Sequence, residues 1–566
     1  MQELTNAQKS RIAIRTFITT ADALALRGFF KPSGKSGQTL ADALKMISPE
    51  IYGTMNDPRM IELKGLEYVI DRLPKGIESC RHLILTAHDE FAHTAFEKIC
   101  PLKRRRISYR VGEHDMCFII STGLSQVYDI LTHVTFLNIE AQKIYQQIIS
   151  QSGDLTNEWH FLEQTIEKLD SLSTDEIHKA IWNLSIILGR TFQETQKTYD
   201  YLESNRIKHQ SNDSLFQIIY QIGKRMLAEK ENRNNMLTIS FTPALKEMIG
   251  HNPYCEKWAE SVKQNIFASG RNANRPLHII SANLHSIRNI FYGYAAALES
   301  GLTVDDTDLY ETIEMLRDKD QLIQEYALNH GFCENQDNAN IMVDTQLIDT
   351  KFFHNMPFHP SLKIKANMFS EKSPLIFVMD YAFGTQAFDT FDRLLEPHFV
   401  ETSHIPLNVQ SISVMGKAGI LCGQKGDIML ATSHVFEGTP DNYPVVNDLS
   451  PSDFDGSIPV FEGPIVTVYG TSLQNRDVLE KFKNTNWKAI GLEMEGGHYQ
   501  RAISAAIIKS HISPDIQIRY AYYASDNPLI SGQTLASGSM GKEGLKPTYM
   551  ISKAIVEKIL GGEFQS

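Results

Sequence analysis

Cysteine is scarce and unpatterned in this chain. The six present, Cys80, Cys100, Cys117, Cys255, Cys333 and Cys422, never form a Cys-x-x-Cys pair, which argues against a zinc site or disulfide framework and for free thiols in a reducing compartment. An excess of positive charge is also missing. The formal net charge is −12, whereas a general nucleic-acid binder needs a basic face to neutralise phosphates. No stretch approaches the ~18 apolar residues of a membrane-spanning helix; the nearest are short pieces such as Ile181 to Leu188. The first residues, MQELTNAQKSRIAIRTF, are polar and mixed in charge where a secretory signal would be basic and then continuously apolar. These absences lead to the expectation of a cytoplasmic protein with neither nucleic acid nor membrane as partner. Internal repeats and low-complexity tracts are lacking too.

What is present is a folded composition, 42% apolar and 22% charged. At 566 residues the chain exceeds the ~250–300 that one hydrophobic core serves, so at least two domains are expected. Two styles of sequence meet near residue 340. Before it, residues 5–28, 58–72, 118–150, 156–171, 213–229 and 305–328 carry apolar residues at three-to-four spacing, the mark of amphipathic helices. Gly- and Pro-bearing turns such as 31–37 and 250–253 separate them. Residues 1–340 are therefore read as a mainly α-helical region of unassigned role, with a weak joint at the asparagine-rich stretch 232–235.

Beyond it, short β-branched and aromatic runs alternate with helical ones. Strands are predicted at 375–381, 411–415, 427–433, 464–469, 488–493 and 517–524, and helices at 386–395, 475–482, 497–509 and 547–560. Such alternation predicts an α/β domain over 345–566, a central mixed or mostly parallel sheet flanked by helices. Ligands of such sheets bind where strand-to-helix loops converge.

Those loops carry the candidate chemistry. Gly384, Gly416 and Gly419 stand at strand ends, where a missing Cβ lets backbone N–H groups approach an anion or an attacking water. Thr385 follows Gly384, and serves equally as a ligand contact or a helix cap. Glu495 and Asp526, 31 positions apart, each lie just past a predicted strand and can meet in one pocket. Glycosidic cleavage uses such a pair: an acid to protonate the departing base, and an acceptor to hold the sugar as oxocarbenium-like charge develops. His434, just past another strand, is a candidate for touching base or sugar, or else a surface residue or a core neighbour.

The loops, in order, read LIFVMDYAFG from Leu375, GKAGIL from Gly416 followed by Gly426-Asp427, LEMEGG from Leu492 and SDNPL from Ser525. This order resembles the purine nucleoside and uridine phosphorylase superfamily, and within it the AMP nucleosidases most closely, over the last 200–220 residues or so. The resemblance implies that Glu495 accepts hydrogen bonds from the ribose hydroxyls, that Met494 packs on the sugar, and that Asp526 protonates or hydrogen-bonds purine N7. Glu493 ends its strand and reads as structural. The superfamily's phosphate-holding arginine is missing from the first loop, where Gly384-Thr-Gln-Ala-Phe stands and Arg393 lies two turns further on; Lys417 follows Gly416 in place of a Ser or Thr. Both departures favour water over phosphate as nucleophile. The water-activating glutamate of methylthioadenosine-type nucleosidases is absent as well, as it is in AMP nucleosidases, and Asp380 is the candidate in its stead. Lys417 is a candidate grip for a 5′-phosphate.

The activity implied is hydrolysis of a purine nucleoside 5′-monophosphate to free base and ribose 5-phosphate, with no metal or organic cofactor and with a homo-oligomeric assembly. Two alternatives stay open: phosphorolysis or hydrolysis of an unphosphorylated nucleoside, and a non-catalytic nucleotide sensor. In the first half, Glu90-Phe-Ala-His93 has the Glu-x-x-His spacing of di-iron bundles but no second motif. Lys103 to Arg106 reads as a solvated charge run, or as a phosphate-binding or membrane-surface patch. His278 to Ser286 reads as a second ligand site or a buried turn.

Overall fold

The computed structural model of the chain describes residues 4–104, 106–250, 252–268, 275–400, 403–530 and 540–561. Arg105, part of the basic run, lies outside them. Among the described residues, no helix is long and apolar enough to cross a membrane. The fold has two compact units, Met1–His251 with Gly470–Val478, and Asn252–Tyr469 with Leu479–Ser566. The change of unit thus falls at 251/252, not near 340, and residues 232–235 lie inside the first unit.

The first unit is not simply helical. Strands β1 (Phe29–Phe30), β2 (His82–Thr86), β3 (Glu97–Lys98), β4 (Ile107–Arg110), β5 (Asp115–Ile119) and β6 (Thr238–Phe241) form one sheet of order β1-β6-β2-β5-β4-β3. β2 runs parallel to both β5 and β6. Runs as short as His-Leu-Ile-Leu-Thr are too brief for periodicity to tell strand from buried helix, which is why the helical reading overran them. The helix Asn6–Arg27 does start where its sequence says: Thr5 and Gln8 form a reciprocal cap, and Gly28 closes it in the left-handed conformation. The helix Leu124–Ile148 is buried along most of its length, with Asp129, Thr132, His133, Asn138, Glu140 and Lys143 among its buried residues.

The second unit is an α/β domain. Its strands are β7 (Leu277–Ser281), β8 (Phe332–Asn335), β9 (Thr345–Asp349), β10 (Leu375–Met379), β11 (His398–Val400), β12 (Ser403–Ile405), β13 (Val409–Ile420), β14 (Ile428–Phe436), β15 (Asn442–Pro444), β16 (Val460–Thr467), β17 (Gly491–Glu493) and β18 (Gln517–Asp526). Among the described residues, β11 pairs with β12 alone and the other ten strands make one mixed sheet, β15-β14-β16-β17-β13-β7-β10-β9-β8, with β18 pairing both β13 and β14. The pairings β14–β16–β17–β13–β18–β14 close a ring of five strands. β7 lies between β10 and β13, parallel to both, with Ser281 level with Met379 and Val414. Every residue of β10 is buried, which explains its unbroken apolar run.

Helices cover both faces. Trp258, Phe391, Tyr499 and Ile503 pack on one side of the sheet, and Ile290, Phe291, Ile551 and Ile555 on the other. The predicted helix over 305–328 is two helices, Leu309–Met315 and Asp320–Asn329, and both belong to this unit.

Candidate active site

β17 delivers the Glu493-Met494-Glu495 segment into the helix Gly496–Ile508. Glu493 is buried, and burial pushes its carboxyl up, but the neighbouring His434, the Thr467 hydroxyl and the Gly496 N–H more than reverse this, so it stays below the ordinary glutamate value. The Thr467 hydroxyl donates to Oε1 at 2.5 Å, and the N–H groups of Glu495 and Gly496 donate to Oε2. Glu493 is therefore a clamp that shapes the turn presenting Met494 and Glu495, both only half-buried.

Glu495 reaches the loop after β10. Its Oε1 accepts the Gly384 N–H at 3.1 Å, and Gly384 stands at φ +56°, a conformation glycine takes without the Cβ penalty. The same loop is tied to β7: the Ala382 N–H donates to the Tyr499 hydroxyl at 3.3 Å, and that hydroxyl is hydrogen-bonded to Ser281 at 2.9 Å.

Asp526 ends β18 opposite Gly419, which on its other side pairs with Leu492. Two strand spacings set the Asp526 and Leu492 backbones roughly 10 Å apart. The β13–β18 register skips Ser525, since Ala418 faces Ala524 and Gly419 faces Asp526. This is a bulge of the kind that re-aims side chains at strand ends. The Ser525 hydroxyl lies 2.5 Å from Asp526 Oδ1 and 3.2 Å from the Ala418 carbonyl, so its single hydrogen is donated to one of the two or shared between them. The two carboxylates thus come from strands on either side of the Gly416–Gly419 segment.

Residues 38–307 and 307–561 match one protein family, described as a family of unknown function, DUF6909. The chain belongs to that family. No curated protein matches it. Similar solved structures include a futalosine hydrolase mutant of Helicobacter pylori, 11% identical, covering 50% of this chain and 99% of that one at a TM-score of 0.30. A methylthioadenosine/S-adenosylhomocysteine nucleosidase of Campylobacter jejuni is 10% identical over 51% of this chain and 98% of that one, TM-score 0.30. A uridine phosphorylase of Schistosoma mansoni in complex with thymidine is 12% identical over 51% and 89%, TM-score 0.29.

Of the residues singled out in the sequence, Glu495, Met494, Gly384, Gly416, Gly419 and Asp526 fall in this one region. Gly416 and Gly419 lie within β13 rather than in a loop after it. Packing accounts for Gly419, where a Cβ would meet Leu492 at 2.8 Å, whereas one on Gly416 would make only ordinary contact with the Tyr381 ring at 3.4 Å. Thr385 precedes the helix Gln386–Leu395 but its side chain makes no capping bond there. Lys417 is exposed and, by strand alternation, points to the face of β13 opposite Gly416.

His434 is not at the surface of a pocket. It is fully buried in β14, its ring 4.6 Å from that of Tyr520 and its Nδ1 3.4 Å from Glu493 Oε1. Its place is behind the Met-Glu segment, where it supports Glu493. A Cβ on Gly496 would collide with the His434 ring and the Tyr522 hydroxyl, so Gly496→Ala is expected to lower unfolding stability by about 1–3 kcal/mol, measured by urea denaturation.

The sequence reading touched Ser281 only as part of the 278–286 segment and missed Tyr499; the pair ties β7 to the site. The available signal was the apolar pair Ile279-Ile280 followed by Asn283, whose side chain caps the helix Leu284–Glu299. His278, within β7, is half-buried between strands: its Nδ1 is hydrogen-bonded to Ser411 at 2.7 Å, and burial, with Arg519 nearby, lowers its pKa to about 3. In the first unit, Tyr68 pairs with Thr471 at 3.3 Å, which draws the Gly-Thr-Ser after Tyr469 into that unit's packing. Residues 88–93 are not helical, so the one-face logic of Glu-x-x-His does not apply to them.

Proposed function

We propose that the second unit hydrolyses the N-glycosidic bond of a purine nucleoside 5′-monophosphate, releasing free base and ribose 5-phosphate. The observation that carries this reading is that Glu495 and Asp526 are delivered to the two sides of one glycine-bearing strand segment. That spacing suits a nucleoside lying across the segment, with its ribose toward Glu495 and its base toward Asp526. Asp526 donates the proton that lets the purine leave neutral, and Glu495 binds the ribose hydroxyls and stabilises positive charge at the anomeric carbon. Water attacks that carbon and gives one proton to Asp380, the candidate base, while the bond to the base nitrogen breaks and its electron pair leaves with the base that Asp526 protonates.

The 5′-phosphate is the less constrained element, since Lys417 lies on the opposite face of β13 from Gly416. Incubation with AMP, GMP, IMP and the corresponding nucleosides, with and without phosphate, followed by chromatography of free base, tests the assignment. Base release from a monophosphate in phosphate-free buffer is the expected result. Release that requires added phosphate would make the reaction phosphorolysis, and no release from any of the six would sink the glycosidase reading.

A further inference from the structure

The sheets of the two units repeat one design that no sequence repeat announces. In the first unit, β2 runs parallel to both β6 and β5, and β5, β4 and β3 follow antiparallel in turn. In the second, β7 runs parallel to both β13 and β10, and β10, β9 and β8 follow antiparallel in turn. The orders β6-β2-β5-β4-β3 and β13-β7-β10-β9-β8 therefore match strand for strand. The chain also visits them in the same order, starting from the middle parallel strand. Side chains agree at the strand ends. Thr86 ends β2 and Ser281 ends β7, each followed by alanine and each level with the last residue of the next strand, Ile119 or Met379. Gln126 and Gln386 stand in the first turn of the helices after β5 and β10. Each accepts backbone N–H groups of the loop before it, from Ser121 and Thr122 at 3.0 and 3.2 Å and from Phe383 at 3.0 Å. An aspartate follows three residues after each glutamine, Asp129 and Asp389.

Beyond these five strands the units part. β13 pairs with β17 and β18, which bring Glu495 and Asp526, whereas β6 pairs with the two-residue β1. Two residues before its glutamine, the second unit offers the Gly384 N–H, and Glu495 Oε1 takes it at 3.1 Å. Two residues before Gln126, the first unit offers the Leu124 N–H, which opens the 25-residue helix Leu124–Ile148, and no side chain caps that helix. Among the described residues, neither this N–H, nor that of Gly123, nor the Ser121 hydroxyl has a hydrogen-bond partner. Ser121 is only 8% exposed, so its hydroxyl is largely withdrawn from water. Asp89, in the adjoining loop after β2, accepts from the Tyr109 hydroxyl and the Phe91 N–H instead. Most buried polar groups of a folded protein are paired, and the start of a long helix carries partial positive charge. The first unit keeps the donor with which the second unit holds a carboxylate, and lacks the carboxylate.

We propose that Ser121, Gly123 and Leu124 form a second ligand site, in the first unit, for a small molecule bearing a phosphoryl or carboxylate group. Its oxygens accept from the Gly123 and Leu124 N–H groups and the Ser121 hydroxyl. The place is the carboxyl end of β5 beside that of β2, where parallel strands present their ligands. Gly123, at φ +77°, takes its conformation without the Cβ penalty and leaves the approach open. The strands that carry Glu495 and Asp526 have no counterpart among the described residues of the first unit, so this site binds its ligand without cleaving it. The Gly384–Glu495 contact enters here as structure only, and the inference rests on no reading of what the second unit catalyses.

The test is calorimetric titration of the full-length protein with methyl phosphate and, separately, with acetate, which carry the two candidate groups and little else. Binding of at least one is expected, and the tighter of the two tells a phosphate ester from a carboxylate as the natural ligand. Ser121→Ala is expected to weaken binding roughly ten- to a hundredfold, the loss of one hydrogen bond to a charged group. Ser121→Asp, which places the chain's own carboxylate at the helix start, is expected to abolish binding and to leave the thermal midpoint unchanged or higher. Glu495→Gln in the second unit should bind as the unaltered protein does. If Ser121→Asp failed to fold, Ser121→Ala would decide alone. The proposal is overturned if neither probe binds, if binding survives unchanged in the Ser121 variants, or if Glu495→Gln is the variant that loses it.

Discussion

Asp526→Asn is expected to lose base release by a factor of about 10² to 10⁴, the range for removal of a general acid, while the protein keeps its fold and much of its affinity for the nucleotide. The side chain ends β18, directly after a bulge whose extra residue, Ser525, places a hydroxyl 2.5 Å from Asp526 Oδ1. Asparagine fills the same volume and its carbonyl oxygen still accepts from Ser525, so the bulge has no reason to relax. What disappears is the acidic proton. A purine leaving as an anion is a poor leaving group, and an amide cannot donate in its place. Single-turnover base release under saturating nucleotide reads the chemical step, and equilibrium titration reads the binding. Retention of more than a tenth of the original single-turnover rate would show that the departing base is protonated elsewhere. A sensor that only binds would have no turnover to lose, so the same pair of measurements separates that class as well.

The second unit was more legible in the sequence than the first, and the difference has a physical origin. The helix Gln386–Leu395 begins and ends where the sequence reading put it, because Gly384 and Pro397 bracket a run with a clear apolar stripe. The strands of the second unit are apolar runs bounded by glycine and charged turns, and six of them were readable on that basis. β7 was not, because His278 interrupts its apolar run; only the fold, by supplying Ser411 from β13, makes a half-buried histidine acceptable there. In the first unit the long amphipathic helices masked strands of four or five residues. The glycines of the candidate site illustrate a different limit. Gly416 and Gly419 read as a turn, yet they lie within a twelve-residue strand, and what Gly419 accommodates is the close approach of Leu492 from a distant segment. His434 was misplaced for the same reason: the tyrosines that enclose it come from β18, far along the chain.

Glu495→Gln separates the charge of this carboxylate from its role in holding the site together. The Gly384 N–H donates to Glu495 Oε1 at 3.1 Å, and a glutamine oxygen accepts that bond equally well, so the loop after β10 should stay where it is and the thermal midpoint should move little. The negative charge, however, is gone, and with it the stabilisation of an oxocarbenium-like sugar. Removing one preorganised electrostatic contact of this kind is worth about 10²–10³ in turnover, and kcat should fall by that factor with a smaller rise in KM, since the amide still hydrogen-bonds ribose. Glu495→Ala removes the acceptor too. The Gly384 N–H then loses its partner, the left-handed turn at φ +56° loses its tether to β17, and KM should rise well beyond that of the glutamine variant. If glutamine and alanine proved equally poor in both constants, the charge would have no separate role. If glutamine kept full turnover, Glu495 would be a positioning residue for the loop, and the anion facing the sugar would have to be sought at Asp380.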